Sequence, residues 1–126
     1  MLFRLILLGF AGACGTLARY GLGKLLQHPI WAGFPVATLV TNILGCFLFG
    51  LIMSASEGQS VVSQEAKLLI FIGFLGSFTT FSTFTMDTVS LFREGNYALT
   101  FLNIFLSNGV GIAFALIGLS AGKLLR

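Results

Sequence analysis

Four long apolar runs, separated by short polar interruptions, leave this chain little choice of solvent other than a lipid bilayer. Each run reaches roughly the 20 residues that a helix needs to cross about 30 Å of hydrocarbon. Mean hydropathy is +0.99 and only 9% of residues are charged, whereas a soluble domain carries roughly a quarter. Backbone polar groups find no partners in lipid, so the spanning runs must satisfy them internally as helices. The pattern predicts an all-α integral membrane protein, one four-span domain over residues 1–126, with spans at about 2–26, 33–53, 66–92 and 97–125. Pro29 and Trp31 mark the first turn and its interface, the polar residues 54–60 make a loop, and Arg93-Glu-Gly-Asn96 ends the third span.

The N-terminal stretch through Ala11-Gly-Ala-Cys14 has some look of a lipoprotein signal peptide. Only Arg4 supplies charge there, and the apolar pattern continues past Cys14 to Leu26, so a membrane span is the expectation. Cys14 and Cys46 both lie in apolar runs, where thiols pack as small hydrophobes, and no disulfide between them is expected. Seven Lys/Arg and four Asp/Glu, most near span ends, form no basic patch and exclude a nucleic-acid role.

If all four runs cross, Arg4, Lys67, Lys123 and Arg126 share one side and Arg19, Lys24 and Arg93 the other. Orientation follows an imbalance of Lys and Arg, and four against three is nearly none. Such a chain is suited to insertion both ways and to pairing with an inverted copy of itself.

The third span is the odd one. About 27 residues of straight helix measure roughly 40 Å, well beyond the hydrocarbon core. Within it, residues 73–84 hold two glycines, five hydroxyl side chains and four phenylalanines. Gly73, Gly76, Ser77, Thr79 and Thr80 predict a break near the membrane middle. Non-helical backbone at that depth is tolerated where it is buried in protein or lines a water-filled path, and it commonly coordinates ions. Phe81 and Phe84 are three apart, so their rings stack on one face, with Ser82 and Thr83 between them and Thr80 beside Phe84. A phenyl ring has a positive edge that contacts an anion without gripping it, and hydroxyls alongside replace part of the hydration shell.

Elsewhere, Thr38, Asn42 and Gly45 share a face of span two, and Asn103, Ser107 and Gly111 a face of span four. Both stripes face protein. Gly45, Gly111, Ala115, Gly118 and Gly122 suit close helix packing, while Asn42 suits packing and a polar path equally. Arg19 either snorkels to the interface or gives a vestibule positive potential. No Asp, Glu, Lys or Arg lies in the middle of spans two, three or four, which argues against a proton relay. The one histidine, His28, falls in a loop, and no nucleophile has a neighbouring base, so no enzyme chemistry is visible.

Gly73-Phe-Leu-Gly-Ser-Phe-Thr-Thr-Phe-Ser-Thr-Phe84, with Gly15-Thr-Leu-Ala-Arg-Tyr-Gly21 and Thr38-Leu-Val-Thr-Asn-Ile-Leu-Gly45, resembles the bacterial fluoride channel family, called Fluc or CrcB. The resemblance covers all four spans. It implies an antiparallel, dual-topology homodimer in the bacterial cytoplasmic (inner) membrane, with two pores that export fluoride passively and so confer fluoride resistance. It further implies that Phe81, Phe84 and Asn42 line the pores, with Thr80, Ser82 and Thr83 as a polar track beside them. Arg19 is implied near an aqueous vestibule, and Asn103 and Ser107 as looser matches in span four. The backbone carbonyls of Gly76 and Thr79, two from each subunit, are implied to hold a central structural sodium ion. Ser77-Phe78 departs from the Gly-Leu or similar pair of many relatives.

Two other readings compete. A small multidrug transporter has the same length and dual topology, but depends on a glutamate in span one, and this span has none. A non-transporting membrane assembly subunit would explain the glycine stripes and leave Phe81, Phe84 and their hydroxyls without a role.

Overall fold

In the computed structural model, which describes residues 1–27, 33–57 and 62–125, the chain is all-helical, with no strand among those residues. Four helical stretches are long and apolar enough to cross a membrane: Leu2–Leu26, Val36–Ala55, Gln64–Arg93 and Tyr97–Lys123. The expectations placed on His28, Pro29, Trp31, residues 58–60 and Arg126 lie outside the described residues.

The first two stretches are the single helices α1 (Leu2–Leu26) and α2 (Val36–Ala55). α2 starts three residues later than the apolar pattern suggests, because Gly33 has φ +83° and Pro35 forms the N-cap. The third stretch comprises α3 (Gln64–Leu68), a π-helical segment (Leu69–Leu75), α4 (Gly76–Phe78) and α5 (Phe81–Arg93). The fourth comprises α6 (Tyr97–Phe105), a second π-helical segment (Leu106–Val110) and α7 (Gly111–Lys123). Ser63 caps α3 by accepting from the Ala66 amide at 3.1 Å.

α5 ends in a glycine-terminated cap. Gly95 has φ +78°, its N–H donates to Phe92 O, and Asn96 N–H donates to Leu91 O. This double bond pattern uses carbonyls that the helix end would strand, and glycine takes the left-handed conformation without Cβ strain. The turn brings α6 back beside α5, with the Phe92 and Tyr97 rings edge-on at 5.3 Å.

Glycine sets the helix spacing. A Cβ on Gly50 would strike the backbone of Ala115, and one on Gly118 the backbone of Phe47, so α2 and α7 touch main chain to main chain. Gly122 meets Leu51 and Ser54 in the same way. Such close approach compensates for the missing hydrophobic drive between helices in lipid. α1 meets the third span through Gly15, whose Cβ would overlap Phe74 O and Ser77 Oγ. At the other end of that contact Arg4 pairs with Glu65, joining the starts of α1 and α3.

Candidate functional site

Between α4 and α5 the backbone leaves helical space for two residues. Thr79 has φ −88° and ψ 156°, and Thr80 has φ −152° and ψ 117°; both are extended. Gly73 and Gly76, by contrast, stay within helical segments. Extended residues within an apolar span strand their polar groups unless other partners take them. Here Asn42 of α2 supplies them: its Oδ1 accepts from Thr80 N–H at 2.9 Å, and its Nδ2 donates to Thr80 O at 3.2 Å. One side-chain amide thus pairs with Thr80 as a neighbouring strand would.

The interruption leaves carbonyls without their usual helical amides, Gly76 O and Thr79 O among them. In a continuous helix Thr80 N–H would bond Gly76 O and Thr83 N–H would bond Thr79 O. Thr80 N–H instead goes to Asn42, and Thr83 N–H to Thr80 Oγ1 at 3.2 Å. The neighbouring carbonyls are taken: Leu75 O accepts from Thr79 N–H and Thr79 Oγ1, both at 3.0 Å, and Ser77 O from Arg19 Nε at 3.2 Å. Gly76 and Thr79, like Phe78, therefore keep carbonyls without their helical amides, and such oxygens suit a hard cation, which prefers oxygen ligands. Among the described residues no group of three His, Cys, Asp or Glu side chains could hold a metal ion.

The other side of the interruption offers hydroxyls and rings. Thr80 Oγ1 lies 3.1 Å from both Ser82 Oγ and Thr83 Oγ1, a linked trio at the start of α5. Phe81 and Phe84 have ring centroids 5.7 Å apart, tilted by 46°, and Phe81 is 79% exposed on the single chain. The first amides of a helix lack internal acceptors and carry its positive end, so this is where an anion is attracted.

These residues edge two hollows. An open groove of about 400 Å³ brings together Asn42, Gly76, Thr79, Thr80, Phe81, Phe84 and Ser107 from spans two, three and four, with Cys46 and Asn108 beside them. A second cavity of about 260 Å³ holds Arg19, Lys24, Thr38, Thr41, Thr80 and Thr83. Thr80 lines both. Arg19 thus does more than reach for the interface: it adds positive charge to the second cavity and covers the Ser77 carbonyl.

The site residues divide accordingly. Ser82 is exposed and lines neither hollow, touching the site only through Thr80. Asn103 also lines neither; at 2% exposure it is buried, and its Nδ2 donates to Thr88 Oγ1 at 3.0 Å. Thr88 donates in turn to Phe84 O at 2.7 Å, and Ser107 Oγ lies 3.5 Å from Asn103 Oδ1. Thr88 escaped the sequence reading, although its place four residues after Phe84 puts it on that face. Ser77 was read only as part of the break, yet its Oγ lies within 2.8 Å of Gly12 O on α1.

A family model described as CrcB-like protein, Camphor Resistance (CrcB), matches residues 6–119. The chain belongs to the CrcB family. It is 40% identical over 125 residues to the fluoride-specific ion channel FluC of Solidesulfovibrio magneticus, covering 99% of this chain and 100% of that one. It is 41% identical over 119 residues to FluC of Thermus thermophilus, covering 94% of each. A FluC of Nitratidesulfovibrio vulgaris is 37% identical over 121 residues. These relatives are named as ion channels, a non-enzymatic family. With four apolar helical stretches, the CrcB chain is a multi-pass membrane protein.

Proposed function

We propose that this CrcB-family chain is a fluoride-selective channel giving passive export of cytoplasmic fluoride. The carrying observation is the groove in which Phe81, Phe84, Asn42 and Thr80 converge, in a chain alike over nearly its full length to channels named for fluoride. The working unit is an antiparallel homodimer with two pores, inserted in both orientations in the bacterial cytoplasmic membrane. The near-even split of Lys and Arg supports that topology, and the break in span three falls near the membrane middle.

An anion enters the cavity beside Arg19 and Lys24, is handed to Thr80, and passes the edges of Phe81 and Phe84. Rings and hydroxyls bind it weakly enough to release it, as conduction requires. Hydrogen fluoride entering neutral ionises in the less acidic cytoplasm, and a negative interior then drives the anion out with about 2.3 kcal/mol per charge per 100 mV.

A structural sodium ion, held by the Gly76 and Thr79 carbonyls of both copies on the two-fold axis, would supply fixed positive charge at the dimer centre. The diversion of Thr80 N–H and Thr83 N–H supports this choice of carbonyls.

The test is electrode-recorded fluoride and chloride efflux from liposomes containing the purified protein. Rapid fluoride release without chloride release is expected; equal leakage of both, or of neither, rejects the assignment. Tags on one terminus should be reachable from both membrane faces, and one-sided labelling would reject the antiparallel dimer.

A further inference from the structure

We propose that Asn42 is a positioning residue for the cation site, keeping the Gly76 carbonyl free by occupying the Thr80 N–H. The inference rests on the sodium reading above and concerns what holds that site open.

An amide side chain has one acceptor oxygen and two N–H donors. Asn42 spends the oxygen and one donor on Thr80, at 2.9 and 3.2 Å. Locally, the competing conformation is an uninterrupted helix. Leu75 through Phe78 already have helical backbone, and α5 resumes at Phe81, so only Thr79 and Thr80 would have to turn. In that helix Thr80 N–H would claim Gly76 O. Asn42 opposes this because it satisfies both Thr80 groups only while Thr80 stays extended. Gly45, one turn along α2 on the same face, completes the arrangement: a Cβ there would overlap Thr79 Cγ2, so a larger residue would require the Thr79 side chain or α2 to shift.

Take Asn42 away, and Thr80 N–H is free to turn to the carbonyl that the cation needs, its partner in a continuous helix. The second Nδ2 hydrogen remains available to the groove that Asn42 lines. Positioning and anion contact are therefore compatible in one residue.

The chain contains a single Gly-Ser pair, Gly76-Ser77. Protein labelled with carbonyl-¹³C glycine and ¹⁵N serine thus reports the Gly76 carbonyl alone by nuclear magnetic resonance. The purified full-length dimer is titrated with sodium chloride at constant ionic strength, and thermal unfolding is followed in parallel. In the wild type the Gly76 signal and the unfolding temperature should move together with sodium.

In Asn42→Ala, and in Asn42→Ser as a second variant that cannot reach both Thr80 groups, the sodium concentration at half-response should rise at least tenfold. The sodium-free Gly76 signal should also move to the position of a helix-bonded carbonyl. Phe81→Ile should leave both readouts at their wild-type values. An unchanged sodium midpoint and an unchanged Gly76 signal in both Asn42 variants overturn the proposal. If wild-type Gly76 ignores sodium, the sodium reading fails. The positioning role is then decided by the sodium-free signal: a move in the variants supports it and an identical signal overturns it.

Discussion

The two sides of the interruption in the third span are built from adjacent residues and have opposite chemistry. On the α4 side, Gly76 and Thr79 present backbone carbonyls at a helix end, and the one side chain drawn in, Arg19, covers a different carbonyl, Ser77 O. On the α5 side, Thr80, Ser82 and Thr83 present hydroxyls at a helix start, next to the Phe81 and Phe84 rings. A helix carries roughly half a negative charge at its C-terminus and half a positive charge at its N-terminus. Interrupting one helix therefore creates a cation-attracting end and an anion-attracting end within a few residues, from backbone groups alone. The two extended threonines are the boundary between them.

The strongest way to test that division is to alter the rings alone. Phe84→Ile and Phe81→Ile should each cut fluoride efflux at least a hundredfold, about 2.7 kcal/mol in barrier, while the dimer keeps its sodium-dependent stability. If either variant also loses the sodium response, the two sides are not separate. If efflux is unchanged in both, the rings are ordinary packing and the anion side is misassigned.

Thr80→Val should act on both sides at once, because the hydroxyl proposed to serve the anion also holds Thr83 N–H away from Thr79 O. Efflux should fall about tenfold, roughly 1.4 kcal/mol. Loss of the α5 cap should cost about 1 kcal/mol of stability. A normal sodium midpoint in this variant would confine the hydroxyl to the anion side. The smallest effect belongs to Thr88→Val, which removes the acceptor from the buried Asn103 amide. Thermal unfolding should register a loss of about 1–2 kcal/mol, the range for an orphaned buried donor. Efflux should drop only two- to threefold as Phe84 loses its tether, and a hundredfold fall would make Thr88 part of the path itself.

How much of this was legible in the sequence depends on how local each feature is. The helical stretches follow from run length and hydropathy. The Phe81 and Phe84 stacking follows from a spacing of three, and their rings meet at 5.7 Å. The position of the extended residues was less readable. Glycine suggests a break, yet Gly73 and Gly76 lie in helical backbone, because in lipid a glycine without replacement hydrogen bonds gains nothing by leaving the helix. Thr79 and Thr80 leave it because partners await them, and one of those partners, Asn42, is 38 residues away. Composition left Asn42 balanced between packing and a polar path; a reciprocal pairing with one backbone residue is invisible to any count of spacing. Asn103 shares this limit, since its polar stripe was readable but its burial against Thr88 across the α5–α6 turn was not.

A last consequence follows from Thr80 lining both hollows. A hydroxyl has one proton to give. In the proposed channel a proton that Thr80 gave to an anion on one side would be withheld from the other, so the residue would work as a turnstile that serves one side at a time. An anion arriving behind another would not be helped by Thr80 until the first had moved on. In a conducting dimer, traffic through each path would then be counted in single ions at this residue.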